Sequence, residues 1–329
     1  MKLTLIFAVV FLAAFTSAAP ASSSSESEED KPVLVTKEFF PEEYVLFRSE
    51  HDIVSLVIPV NGLNFDESDE DDDDDTAVIF YVEADVKDGK KDYKGLYVHN
   101  RNTSKLILAN GRDAASPISN NNNNKEAYFV ADDGIYSYDV ATKSANKYGT
   151  FAKSSFAIAK LNGSDAIYVI TDDKDLYKIT NEGKDAKKID AVEKPEAIAV
   201  DANNNLYFYS AGKAPQIFDG EKVKDIAGLP SNPSYVALLR PAFILDHNCI
   251  PAVIDDKSYL LFSNGTSKLW HFEFEVHPTA YGMEASVIQY YAYDKKIYEY
   301  HVWDLIFGDS LRVLKNLVTQ IRIKSKSRY

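Results

Sequence analysis

One cysteine, Cys249, occurs in 329 residues. An intrachain disulfide is therefore excluded. Stability has to come from a large core, which suits a closed multi-blade architecture better than a small stapled fold. Cys249 lies in the apolar stretch FILDHNCIPAVI. It reads as a buried, inert thiol, with a reactive thiol or an interchain bridge as the alternatives. Positive charge is also scarce. There are 36 Lys and Arg against 50 Asp and Glu, a net charge of −14. A phosphate backbone needs a basic surface, so nucleic acid is excluded as a partner.

Recognisable catalytic patterns are missing as well. The 14 glycines lie mostly at turns, and none builds a phosphate-cradling loop. No G-x-S-x-G elbow is present. The six histidines (His51, His99, His247, His271, His277 and His301) form neither H-x-x-x-H nor H-E-x-x-H. No catalytic residue, metal ligand or cofactor is predicted, and the chain reads as non-enzymatic.

Long apolar runs are absent beyond the first residues. Lys2 supplies a positive start, and the apolar run Leu3 to Phe15 is short for a bilayer span. Thr16-Ser17-Ala18 places small residues before a cleavage point after Ala18, with Ala19 as the alternative. Residues 1–18 thus read as a signal peptide, and the mature protein as secreted and soluble with no membrane partner. Residues 19–32 are acidic, rich in serine and without apolar periodicity, which predicts a disordered linker. Ser24, Ser27 and Ser68 each precede a Glu at the second position, a pattern that acidic-directed kinases use; an unmodified solvated tail is the blander reading.

What the sequence does have is a repeat. EAYFVADDGIYSYD (126–139), DAIYVITDDKDLYKIT (165–180) and NNLYFYSAGKAPQIFD (204–219) share one plan. Each has an aromatic and β-branched run, a polar turn, then a second short run. Tyr128, Tyr168 and Tyr207 are equivalent positions, a period of about 40 residues that marks a solenoid or propeller. The unit is clearest at 194–228, where turns at 201–204, 212–213 and 219–220 divide it into four short strands. First runs begin near Val78, Ala127, Ala166, Leu206, Ser258 and Val287. The predicted fold is all-β: a single six-bladed β-propeller of four-stranded antiparallel blades over 33–303, with five or seven blades as alternatives. The segment before Ala77 would supply the inner strand of the first blade. The ring would close by pairing N- and C-terminal strands in one blade.

Three segments stand outside this plan. Asp66 to Asp75 is a run of like charges and reads as an exposed loop, with weak calcium binding as the alternative. Asn120 to Asn124 is a polar loop. The tail 304–329 mixes helical spacing with a basic end. Asp201 to Asn205 resembles half a calcium loop but sits where a blade needs a turn. Asn102, Asn162 and Asn264 head intact N-x-S/T sequons in predicted turns and are candidate glycosylation sites. Trp270 and Trp303, the only tryptophans, read as core residues within aromatic strand runs.

The phrases DDGIYSYDVATK (132–143), DLYKIT (175–180) and EAIAVDANNNLYFY (196–209) resemble those of the lepidopteran ommochrome-binding protein family. The last also resembles the strand-turn-strand of NHL-type and gluconolactonase-type six-bladed propellers. The resemblance covers roughly 77–275. It implies a haemolymph protein of an insect that binds an ommochrome pigment, a planar tryptophan-derived chromophore. The acidic run and the basic tail depart from that pattern. The expected role is a secreted, monomeric carrier of a small planar organic ligand. Two alternatives are an extracellular structural or interaction protein using its acidic segments, and a metal-dependent lactonase-like hydrolase.

Overall fold

The structure, a computed structural model, describes residues 32–59, 78–100, 103–118, 126–241, 248–283 and 288–301. The expected signal peptide, linker, acidic loop 66–75, five-Asn run, tail 304–329, Asn102 and Trp303 lie outside these residues.

Among the described residues, six antiparallel sheets form the blades of a propeller. Blades 1 to 4 cover 52–108, 111–147, 155–188 and 195–225. Blades 5 and 6 take their local strands from 236–274 and 280–301. Each blade runs outward from an innermost strand, and burial falls along the way. In blade 3, Ile167–Thr171 is buried at every position, whereas the outermost strand Asp185–Lys188 is exposed at every position. A strand covered on both faces by neighbouring blades has no solvent side, so its sequence is a continuous apolar run rather than an alternation. That is why the aromatic runs are the visible part of the repeat.

The blades pack through these runs. Tyr168, Ile170 and Leu176 of blade 3 share one cluster with Leu206, Phe208 and Phe218 of blade 4. Phe80 of blade 1 meets Phe129 of blade 2 with ring centres 5.1 Å apart.

Five of the six first runs fall on the second strand of a blade. The fifth does not. In blade 5 the second strand is Cys249–Ile254, and the run at Ser258 belongs to the third strand, Lys257–Phe262. KLWHFEF is accordingly the fourth strand, Ser267–Phe274. Cys249 is a buried free thiol. Residues 87–94 are a hairpin extension, since Lys87 pairs with Lys90 and Val86 with Lys91.

The ring closes through the N-terminal segment. Val45–Arg48 is the outer strand of blade 6, antiparallel to Lys296–His301. Val33–Val35 adds a fifth, parallel strand to blade 5. Between them, Phe39 stacks on Tyr300 at 5.0 Å and Phe40 on Tyr293 at 4.4 Å. The Tyr300 hydroxyl donates to the Phe39 carbonyl. Glu42 accepts from Arg48 and from Lys296 Nζ, the latter at 2.6 Å. These two cations hold its carboxyl down at about 2.

Two measurements test this seam. Phe40 is 7% exposed, so Phe40→Ala should cost about 3–5 kcal/mol and lower Tm on the order of 10 °C. A shift no larger than that of Leu269→Ala, at a position 54% exposed, would contradict the assignment. An acid whose folded pKa is depressed stabilises fully above its unfolded value of about 4.3 and loses that contribution as pH falls further. Tm should therefore drop more steeply in the wild type than in Glu42→Gln as pH falls from about 4.5 through about 2.

Candidate ligand site between blades 5 and 6

The innermost strands of the six blades surround a central channel. Ala157, Ala197, Ala237 and Ala280, on four of these strands, put only methyl groups against it. The space continues outward as a slot between blades 5 and 6, where Val253 and its cross-strand partner Ser258 lie on the side of Gln289 and Tyr291. Channel and slot form one cavity of about 280 Å³. That lies just under the usual range of about 300–1,000 Å³ for small-molecule pockets.

The slot is aromatic. Trp270 and Phe272 line it from blade 5, Tyr281 and Tyr291 from blade 6, and Phe39 from the closing segment. Tyr281 and Tyr291 have ring centres 5.1 Å apart. Trp270 is 8% exposed and edge-on to Phe272 at 5.7 Å, so the residue that reads as core also forms a cavity wall. Tyr235 stacks on His277 at 4.1 Å at one side. Burial pushes the Tyr281 and Tyr291 phenols far up, so both remain neutral donors. Tyr291 donates to Gln289 Oε1 at 2.6 Å. Gln289 is 3% exposed, and its Nε2 has no hydrogen-bond partner among the described residues. An unmet buried donor costs about 1–3 kcal/mol.

Deeper in the channel sits an ionic strut. Arg240 follows the inner strand of blade 5 and reaches blades 1 and 2. Its guanidinium donates to the Ala114 carbonyl and lies 3.5 Å from Asp113 Oδ1. Asp113 also accepts from Ser55 Oγ at 2.6 Å and from the Ile158 amide at 3.0 Å. Burial pulls the Arg240 pKa down, and Asp113 opposes the shift. An ion pair held by further hydrogen bonds tolerates such a position, where a lone charge would not.

The mouth lies where the innermost strands begin. Arg112 and Glu196, the second residues of their strands, are both paired there. Arg112 binds Asp172 at 2.8 and 2.9 Å and Ser154 at 3.0 Å, and Lys174 donates to Glu196. The hairpin of blade 1 leans over this mouth and brings Lys91 to the cavity. Arg112 packs over Tyr93 of the same hairpin at 5.5 Å.

Asp201 is fully buried at the turn between two strands of blade 4. Its carboxylate accepts from the Asn203 and Asn205 amides, Asn205 Nδ2 and the Tyr207 hydroxyl. Those bonds make it the anchor of a turn. Among the described residues no three His, Cys, Asp or Glu side chains gather as a metal-binding group. His51 and His99 belong to blade 1, bonded to Asp85 and Ser104.

The two described sequons differ. Asn162 clamps three blades: its Oδ1 accepts from Ile118 N at 2.8 Å and its Nδ2 donates to Ala202 O at 2.9 Å. Asn264 is exposed, and only its Oδ1 is engaged, by Thr266 N and Oγ1 at 3.0 and 2.7 Å. Lys91, Arg112, Asp113 and Arg240 escape sequence reasoning. The clue available was Arg-Asp inside the strand Gly111–Ala115, two charges where a core strand would carry none.

Neither the models of known protein families nor the curated proteins contain a match to this chain.

A glycan on Asn162 would have to be accommodated where its side chain bridges neighbouring blades, whereas one on Asn264, whose turn is held through Oδ1, would leave that turn intact. Glycopeptide mapping of secreted protein should find Asn264 occupied well above Asn162. Equal occupancy would mean that the folded clamp does not limit modification.

Proposed function

We propose that this protein is a secreted, non-enzymatic carrier that holds a small planar organic ligand in the slot between blades 5 and 6. An ommochrome-type pigment of haemolymph is the ligand that the repeat phrasing favours. The observation that carries the reading is the shape and lining of the cavity. Two sheet faces pack about 10 Å apart, so a gap between them is naturally flat. Trp270, Phe272, Tyr281 and Tyr291 line this one. Aromatic walls favour a planar π-system by offset stacking and edge contacts. The free Gln289 amide donor would select a ligand with a carbonyl or ring-nitrogen acceptor. The cavity volume restricts the ligand to a compact one.

The first test is the absorption spectrum of the protein purified from its native fluid, followed by titration of the stripped protein with an ommochrome. A visible band should travel with the protein and leave it in acidic organic solvent. The titration should quench tryptophan fluorescence, and Val253→Trp, which adds bulk on the slot side of its strand, should weaken binding at least tenfold while the fold is kept. A colourless protein that also fails to take up added pigment would overturn the pigment reading.

A further inference from the structure

The cavity is electrostatically unlike the rest of the protein. The whole chain carries −14. Its cavity lining carries Lys91, Arg112 and Arg240 against Asp113 and Glu196. Four of these five charges are answered within the protein. Arg112 is paired with Asp172, Arg240 with Asp113, and Glu196 with Lys174. Lys91 has no hydrogen bond or ion pair among the described residues. Of the hairpin's carboxylates, Asp85 is engaged by His51 and Lys94 and Asp92 by Lys94, while Asp88 sits in the turn and makes no ion pair with Lys91.

We propose that the slot is built for a planar aromatic carboxylate, with the rings between blades 5 and 6 and the acid group at the channel mouth against Lys91. This rests on the carrier reading above and specifies its ligand. The hairpin that carries Lys91 reaches the cavity, and charged residues extend it well past the apolar part of its strands. Lys91 keeps an exposed side chain, yet the surrounding protein is dense enough to pull its ammonium below the ordinary lysine value, with Asp113 opposing. A cation held in such a place without a carboxylate gains from one brought by a ligand. An anionic ligand needs that cation, because taking an unpaired carboxylate out of water beside Asp113 and Glu196 is strongly unfavourable. Aromatic walls and one unanswered cation at the entrance together select a flat, acidic molecule over a neutral one.

The experiment compares 2-naphthoate with 2-naphthamide by isothermal titration calorimetry. The two probes share rings and size and differ in charge. Wild-type protein should bind the naphthoate about three- to tenfold more tightly, the scale of a partly solvated ion pair. Added salt should narrow the gap. Lys91→Gln should abolish it and Lys91→Glu reverse it, with melting curves confirming that both variants fold. Equal affinities in the wild type, or a preference that survives Lys91→Gln, would overturn the assignment. Binding of naphthamide alone would overturn it while leaving the slot a planar-ligand site. Binding of neither probe would overturn both.

Discussion

Everything in this molecule depends on one pairing, that of Val45–Arg48 with Lys296–His301. A propeller is stable because no blade ends in an open face, and a single break exposes two. Many closed folds lock such a joint covalently. Here one cysteine serves the whole chain, so the joint must hold through strand hydrogen bonds, aromatic packing and a carboxylate between two cations. The aromatic part matters most. Phe39, Phe40 and Tyr44 come from one end of the ring and Tyr291, Tyr293, Tyr298 and Tyr300 from the other, and all belong to one cluster. Each well-placed aromatic pair contributes about 0.5–1.5 kcal/mol beyond its buried area. The parallel strand Val33–Val35 extends the same segment onto blade 5. The N-terminal segment therefore ties the first blade to the last two.

The cavity lies at that same joint. Phe39 both stacks across the seam and forms the outer wall of the slot. Tyr291 contacts Phe39 edge-on at 5.5 Å while donating to Gln289 inside. Stability of the ring and shape of the slot are thus functions of the same side chains. A ligand lying between blades 5 and 6 would add contacts across the one interface that is closed by a segment distant in sequence. Its binding energy would then appear as ring stability by mass action. The opposite side of the channel is braced differently, by Arg240 against Asp113 and the carbonyls of blades 1 and 2.

Much of the fold was legible because second strands are covered on both faces. Tyr128, Tyr168 and Tyr207 repeat visibly since each lies in such a strand. Innermost strands were legible only in part. FAIA (156–159) and EAIAV (196–200) read as strands within Ser155–Lys160 and Pro195–Val200, but GRDAA and AYGM do not. Strands lining a channel need only small or paired side chains on that face, so apolar periodicity is lost where function resides. The shift of the fifth unit has a related cause. Cys249–Ile254 contains a proline, and the stronger aromatic signal of Ser258 to Phe262 stands one strand later. The blade count survived because each unit holds one dominant run, whichever strand it occupies.

The candidate site was less legible for a geometric reason. Its walls come from positions 39, 91, 113, 240, 270 and 291, which have no common spacing. Asp113 and Arg240 are 127 residues apart and meet only because the ring brings blade 5 opposite blade 2. Lys91 was visible as one charge in the extension 87–94, indistinguishable from its neighbours. What separates it in space is that Lys94 bonds Asp85 and Asp92 while Lys91 faces the cavity. Composition averages such differences away. An acidic chain can hold a locally cationic mouth because Coulomb interactions fade over about 8–10 Å at physiological salt. The sign of the net charge therefore governs distant encounter, and the few groups at the mouth govern what enters.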